Sequence, residues 1–301
     1  MSSASPNTSK LIGVVAAIVA SVIGSAWQIA SRHAVTTSLD PLSLAVLRYC
    51  IPTLMLLPLI FKLGLFPAGV SKRILLVLIT GGGLPFVLVG LTGVRFAPVA
   101  HMGVLLASVM PVLTAALAWA IYKDKVAPAR IVGFALIGVG VAVLGQRAFT
   151  TMGFSTLVGD ALFLLAALLW AGYSIAFRSS GLTPWQGVAT VNVWSALLVA
   201  PLYLLFGSGA LTTAPLHDLL LQTVMQGFIA GILGLVVYSI AIKKLGAAPA
   251  AAFAALVPVL STLGGAVFLD EALAPSTVTA ALLAAFGVLL ASGLVRLRTR
   301  S

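Results

Sequence analysis

Charge is what this 301-residue sequence has least of: Asp, Glu, Lys and Arg make up 8% of it, against about 25% in an ordinary soluble domain. Only six residues are acidic, and none of the apolar runs contains a pair of them. Paired carboxylates for general acid and base work are therefore missing from the interior. A single cysteine, Cys50, excludes an intramolecular disulfide. No His, Cys, Asp or Glu cluster has the spacing of a metal site, and no Ser lies in a nucleophile motif beside a base and its orienter. The sequence thus gives no reason to expect a catalytic residue, a metal or a cofactor.

What is plentiful is apolar sequence. Hydrophobic residues make up 61% of the chain, and its mean hydropathy is +1.18. Ten runs are long enough to approach the ~20 residues that cross a hydrocarbon layer: 11–31, 42–61, 74–94, 99–122, 131–146, 157–177, 188–206, 219–242, 247–269 and 278–295. All are apolar on every side rather than alternating, which predicts helices and argues against a barrel. The first run follows Lys10 and ends near Gly24, Ser25 and Ala26, as a cleaved signal peptide would. Cleavage would remove a segment that the second half of the chain duplicates, so this run is read as a span.

The formal charge of +11 raises the question of nucleic acid. Loop asymmetry answers it. With a cytoplasmic N-terminus, Lys10, Lys62, Lys72, Arg73, Lys123, Lys125, Arg130, Arg178, Lys243, Lys244, Arg296, Arg298 and Arg300 all fall on the inner side, with Asp124 as the one inner acid. Arg32, Arg48, Arg95 and Arg147 fall outside with the other five acids. The basic character reports orientation, with both termini cytoplasmic, and no nucleic-acid partner is implied.

The two halves overlay. Gly13, Trp27, Ile29, Ala30 and Arg32 match Gly159, Tyr173, Ile175, Ala176 and Arg178 at an offset of 146. At an offset of 147, SVMPVLTAALAWAIYKDKVAP overlays ALVPVLSTLGGAVFLDEALAP, pairing Pro111 with Pro258, Asp124 with Glu271 and Pro128 with Pro275. Five spans per repeat is an odd number, so the second copy enters the membrane from the opposite side. The expected architecture is an all-α integral membrane protein of ten transmembrane helices in two inverted five-helix repeats, residues 11–147 and 157–295, flanked by a cytoplasmic tail at 1–10 and a basic tail at 296–301.

This layout resembles the drug/metabolite transporter superfamily, in particular its EamA-type ten-helix branch. The resemblance rests on the five-plus-five plan, a mid-span Pro followed thirteen residues on by an acid (Pro111 and Asp124, Pro258 and Glu271), and Arg48-Tyr49 early in the second span. The family position is usually Glu, which fits Glu271 better than Asp124. The resemblance implies an exporter of metabolites or amino acids in the cell membrane, the bacterial inner membrane, with the aromatic amino-acid exporters as the nearest branch.

Candidate site residues follow from symmetry and from scarce polarity. Pro111 and Pro258 each remove a backbone donor in mid-span and would free the carbonyls of Ala107 and Ala254, either as a ligand site or as a packing kink. Phe86 lies in the deformable stretch GGGLPFVLVG. Gln28, His101, Ser108, Tyr173, Ser174, Asn192, Gln226, Tyr238 and Ser239 are polar or amphipathic residues within the spans. Arg48 is the one basic residue clearly inside a span, either reaching the outer surface or facing a cavity to bind a carboxylate. His101 reads as a wetted helix end or a proton carrier, and Asp160 as an exposed acid at a helix start. Trp27 and Tyr173 read as interfacial belt residues at opposite ends or as equivalent gates with Gln28 and Ser174 beside them. The candidate substrate-binding set is Trp27, Gln28, Arg48, Phe86, His101, Ser108, Pro111, Trp170, Tyr173, Ser174, Tyr238 and Pro258. The expected partners are a small-molecule substrate, the lipid bilayer and a second copy of the chain as a homodimer. Exchange of sugar phosphates or nucleotide sugars is the alternative within the class. A lipid-modifying enzyme or a channel is the alternative outside it.

Overall fold

A computed structural model describes residues 6–123 and 127–291. Asp124, Lys125, the end of the last apolar run at 292–295, and the termini at 1–5 and 296–301 with Arg296, Arg298 and Arg300 lie outside the described residues.

Every described element is helical. Eight helices are long and apolar enough to cross a membrane: α1 (Thr8–Thr37), α3 (Lys72–Phe96), α4 (Val99–Tyr122), α5 (Pro128–Met152), α6 (Phe154–Ser179), α7 (Pro184–Phe206), α8 (Leu216–Leu245) and α9 (Pro249–Leu269). Between α1 and α3, α2 consists of Pro41–Met55 and Leu57–Leu63, bent by 73°; taken as one span it makes nine. A shorter apolar helix of 17 residues, α10 (Pro275–Ala291), closes the described chain. Large apolar side chains such as Phe61, Phe154 and Leu204 point outward, as they must where lipid replaces water.

The bend in α2 corrects the expectation of one straight second run. Pro52 lies inside its first piece, and Pro58 opens the second without an N–H to donate back. The third span is broken as well. Gly83 separates two helical pieces of α3, and the N–H of Leu84, freed by the break, donates to Ser195 Oγ at 3.1 Å. Its repeat partner α8 carries a π-helical stretch, Thr223–Gly234. Both fourth spans are distorted just before their prolines, α4 as π-helix over Gly103–Ser108 and α9 as 3-10 helix over Phe253–Ala255.

Packing follows a pseudo-twofold rule. α1 lies along α8 and α9, while α6 lies along α3 and α4; α2 packs against α7, and α5 against α10. Exchanging the two halves returns the same pattern. The end of α1 meets the start of α8 through Gln222, whose amide donates to the Ala30 carbonyl at 3.0 Å, and the start of α4 meets the start of α6 through His101 and Asp160. Arg32 at the end of α1, His101 at the start of α4 and Glu271 just past α9 line one cavity, with Asp160 near the start of α6 bonded to His101, so α1 runs opposite to α6 and α4 opposite to α9. The only two non-glycine residues of positive φ among those described, Lys123 at 58° and Asp270 at 53°, are repeat partners and end α4 and α9 in the same left-handed turn.

The α5 and α10 contact carries the symmetry most closely. A Cβ at Gly133 would lie 2.4 Å from the Gly287 carbonyl oxygen, and one at Gly287 would lie 2.6 Å from that of Gly133. Gly140, the partner of Gly287, approaches the Ala280 carbonyl in the related way. Between helices in lipid, such close approach substitutes for the missing hydrophobic drive. At the start of α2, Asp40 caps the helix: Oδ1 accepts from the N–H groups of Leu42 at 2.8 Å and Ser43 at 3.0 Å. Burial pushes the Asp40 carboxyl up, but hydrogen bonds from Ser208, Ser43 and the two backbone amides outweigh it and leave the group below its ordinary value.

Two outcomes follow for thermal melting in detergent. Gly133→Ala and Gly287→Ala lower the melting temperature, whereas Gly138→Ala, where an added Cβ meets open space, leaves it unchanged or raises it. Asp40→Ala costs about 1 kcal/mol at neutral pH. Because the folded carboxyl is more acidic than the unfolded one, this stabilisation is full above about pH 4 and fades as pH falls through the folded value, so wild type and variant converge in acid.

Candidate functional site

The halves enclose a cavity of about 100 Å³, several times the ~10–15 Å³ that one water needs. Its walls come from α1, α2, α3, α4, α6, α8 and α9. α1 contributes Ser21, Trp27 and Gln28; α2 contributes Arg48; Phe86 comes from α3 just past its break, Met110 from α4, Trp170 from α6, and Leu235 and Tyr238 from α8. Ala107 and Ala254, whose carbonyls Pro111 and Pro258 would free, both line the wall and pack in one apolar cluster. The distorted stretches of both repeats therefore lie beside the cavity, where irregular backbone in a membrane protein is tolerated.

Aromatic rings form one connected series. Trp27 stacks on Phe86 with centroids 5.9 Å apart, Phe86 meets Trp170 at 4.7 Å, and Trp170 meets Tyr238 at 5.3 Å and Tyr173 at 5.2 Å. Polar atoms on these rings are held. Trp27 Nε1–H donates to Gln226 Oε1 at 2.8 Å, and the Gln226 amide donates to Ser31 Oγ at 2.9 Å and Gln222 Oε1 at 3.1 Å. The Tyr238 hydroxyl pairs with Ser174 Oγ at 2.9 Å, and that of Tyr173 with Ser239 Oγ at 3.0 Å. Gln28 Oε1 accepts from Ser261 Oγ at 2.7 Å.

Arg48 stands apart in this setting. It is 3% exposed, and its guanidinium carbon lies 5.0 Å from the centre of the Trp27 ring. Neither Nε nor Nη1 has a hydrogen-bond partner. Three of its five N–H donors are thus unused, in a cavity where leaving a buried charge unpaired is costly. The cation–π contact with Trp27 offsets only part of that cost. Of the two readings open for Arg48, the structure gives the one that faces the cavity.

Six of the twelve candidates line this cavity: Trp27, Gln28, Arg48, Phe86, Trp170 and Tyr238. Tyr173 and Ser174 back it through Trp170 and Tyr238. Pro111 and Pro258 are buried one residue beyond the lining residues Met110 and Val257. Ser108 is buried with its hydroxyl unpartnered and does not line the cavity. Trp27 and Tyr173 are both buried inside the bundle, so neither belongs to a lipid-facing aromatic belt, and they are not confined to opposite ends: two intervening rings, Phe86 and Trp170, bridge the distance between them.

His101 and Asp160 depart most from the reading given above. His101 is 1% exposed rather than wetted, and Asp160 is buried rather than a free helix-start acid; His101 Nδ1 and Asp160 Oδ1 are 2.8 Å apart. They were legible singly, but their 59-residue separation hid the pair. Asp160 Oδ2 has no partner. His101 lines a second cavity of about 150 Å³ at one end of the bundle, with Arg32, Arg147, Glu271 and Thr277.

At that end Arg32 is clasped between helices. Its Nε donates to Glu271 Oε1 at 3.2 Å and its Nη1 to the Val94 carbonyl, while the Glu271 carboxylate also accepts from Val99 N–H at 3.1 Å. Arg178, the repeat partner of Arg32, lies at the opposite end with its guanidinium carbon 4.5 Å from the centre of the Tyr122 ring, and the Tyr122 hydroxyl bonds Ser179. The symmetric arginines join α1 to the end of α9 and α6 to the end of α4. Gln222 and Ser31, which complete the network behind Trp27, were not singled out in the sequence because each looks like an isolated polar residue.

A bundle of apolar helices in two antiparallel halves around a cavity with one cation defines a multi-pass membrane protein built to hold a small molecule. The sequence model of the EamA-like transporter family matches twice, over residues 11–146 and 157–293, and the chain belongs to that family. Membership makes it a membrane transporter of small molecules. A solved crystal structure with 22% sequence identity superposes with a TM-score of 0.65, covering 98% of this chain and 99% of that one, which supports the fold. No curated protein sequence matches the chain as a relative.

The buried pair yields a stability prediction. His101→Leu leaves the Asp160 carboxylate buried without its partner and costs about 3–5 kcal/mol. The double substitution His101→Leu with Asp160→Leu recovers most of that loss, as read from thermal melting of the detergent-solubilised proteins.

Proposed function

We propose that this protein exports small amphipathic molecules carrying a carboxylate, with amino acids of aromatic or bulky apolar side chain as the class, by alternating access through the central cavity. The observation that carries this reading is the unsatisfied Arg48 guanidinium beside a series of aromatic rings. The cation supplies a binding point for a carboxylate, and the rings supply an apolar surface for the rest of the molecule. A single guanidinium suits a dianionic phosphate ester less well, since such carriers gather several basic groups around the phosphate.

Ten spans in two inverted repeats, at residues 11–147 and 157–295, with both termini in the cytoplasm, complete the proposal. It places the chain in the cell membrane, the inner membrane of a bacterium, and admits a homodimer. On this topology the Arg32–Glu271 contact closes the outer mouth and the Arg178–Tyr122 contact the inner one. Each latch lies at the end of the helix that carries Trp27 or Tyr173 toward the cavity. Rocking one half against the other would release one latch while holding its partner.

Purified protein in liposomes tests this by comparing flux of radiolabelled phenylalanine with that of a sugar phosphate. Phenylalanine flux that falls at least tenfold in Arg48→Gln supports the reading; phosphate-ester exchange without amino-acid flux overturns it. Glu271→Gln weakens the outer latch and raises the labelling of a cysteine placed at Ala100 by an impermeant thiol reagent from outside, in a Cys50→Ala background. Unchanged labelling removes the latch from the mechanism.

A further inference from the structure

We infer that the cavity selects a monovalent organic anion, an arylalkyl carboxylate without an ammonium group, over the zwitterionic amino acid that carries the same ring. This rests on the reading of the central cavity as the site for a small amphipathic carboxylate, and within that wider class it sets the arylalkyl carboxylate ahead of the amino acid.

The argument is one of charge balance in a medium that screens poorly. Among the described lining residues Arg48 is the single charged side chain. The described acids all sit at helix ends away from the lining. Asp40 caps α2 and accepts from Ser43 and Ser208, Asp160 pairs with His101, and Asp218 accepts from Ser38. Glu271 holds Arg32 and the Val99 amide, and Asp270 ends α9. A carboxylate entering the cavity neutralises the one charged side chain of its lining, and a small shift of the Arg48 side chain brings its buried Nε and Nη1 donors to it. An ammonium group on the adjacent carbon would be held close to the guanidinium, a charge of its own sign, with no carboxylate to answer it.

Several neutral polar groups in and behind the lining are already engaged with one another. Gln28 Oε1 accepts from Ser261, and Gln226 Oε1 from Trp27. The Tyr238 hydroxyl is paired with Ser174, and the Ser21 hydroxyl is turned toward the carbonyls of Ala17 and Phe253. Arg48 itself lies over the Trp27 ring. No carboxylate in the lining offsets the desolvation of an ammonium, whereas the Arg48 charge offsets that of a carboxylate. The aromatic series accepts the ring of either compound, so discrimination falls on the ammonium alone.

The test measures equilibrium binding to the full-length wild-type protein in detergent, by quenching of tryptophan fluorescence and, in parallel, by thermal shift. The probes share a phenyl ring and a short chain: 3-phenylpropanoate, phenylalanine, 3-phenylpropanamide and phenethylamine. The expected result is that 3-phenylpropanoate binds at least tenfold tighter than phenylalanine and that phenethylamine is weakest. Arg48→Gln should abolish the preference of 3-phenylpropanoate over its neutral amide, and Arg48→Lys should keep part of it. If Arg48→Gln fails to fold, the probe series on wild type and Arg48→Lys decides. Phenylalanine binding as tightly as 3-phenylpropanoate, or phenethylamine binding tighter than the amide, overturns this inference and leaves the amino-acid reading standing. Equal weak binding of all four probes, with no effect of Arg48→Lys, overturns the central cavity as the substrate site and this inference with it.

Discussion

Helices surrounded by hydrocarbon gain little by hiding leucine from lipid, so a bundle of this composition is held by close backbone approach and by the few polar groups that have nowhere else to bond. Gly133 against Gly287 and Gly140 against Ala280 show the first device, repeated about the pseudo-twofold between α5 and α10. The second is seen in the chain from Trp27 through Gln226 to Ser31 and Gln222, and in the buried His101–Asp160 pair. With these contacts fixing the two halves, the wall of the central cavity can be made of irregular helix. The break in α3, the π-helical stretches of α4 and α8 and the 3-10 turn of α9 all fall beside it or in the layer just behind it.

In the cavity the polar accounting is left open at a charged group. Elsewhere in the aromatic series the Trp27 N–H and the Tyr173 and Tyr238 hydroxyls are hydrogen-bonded. At Arg48 two nitrogens are not. In a low-dielectric interior such an arrangement is unfavourable until an anion arrives, so binding energy is stored where it can be spent on a ligand. A transporter gains from this, because a charge satisfied only by its cargo makes the loaded and empty states differ in free energy, and only such a difference can bias a conformational equilibrium. Arg32 and Arg178 stand at the ends of α1 and α6, each in contact with the end of a fourth span.

Much of the fold was legible because it is written in periods and offsets. The match of Pro111 to Pro258, and of Trp27-x-Ile-Ala-x-Arg32 to Tyr173-x-Ile-Ala-x-Arg178, identifies a duplication without any knowledge of contacts. The paired left-handed turns at Lys123 and Asp270 are a structural echo of that offset. Part of the site was legible for a different reason: charge and aromaticity are so rare inside these runs that Arg48, Phe86 and Trp27 stand out. The partners of these groups were not legible. His101 and Asp160 are 59 residues apart, Trp27 and Gln226 are 199 apart, and no local pattern records such a pairing.

The sequence by itself determined that the chain is helical and built for lipid and that its halves repeat. These properties depend on composition and on order along the chain, which lipid solvation and backbone satisfaction convert directly into structure. Only the tertiary structure decided that Trp27 and Tyr173 face inward and join through Phe86 and Trp170, that His101 is paired, and that Arg48 is left with unused donors. Which side of a uniformly apolar helix faces a cavity is set by its neighbours, and neighbours are chosen by packing across long separations.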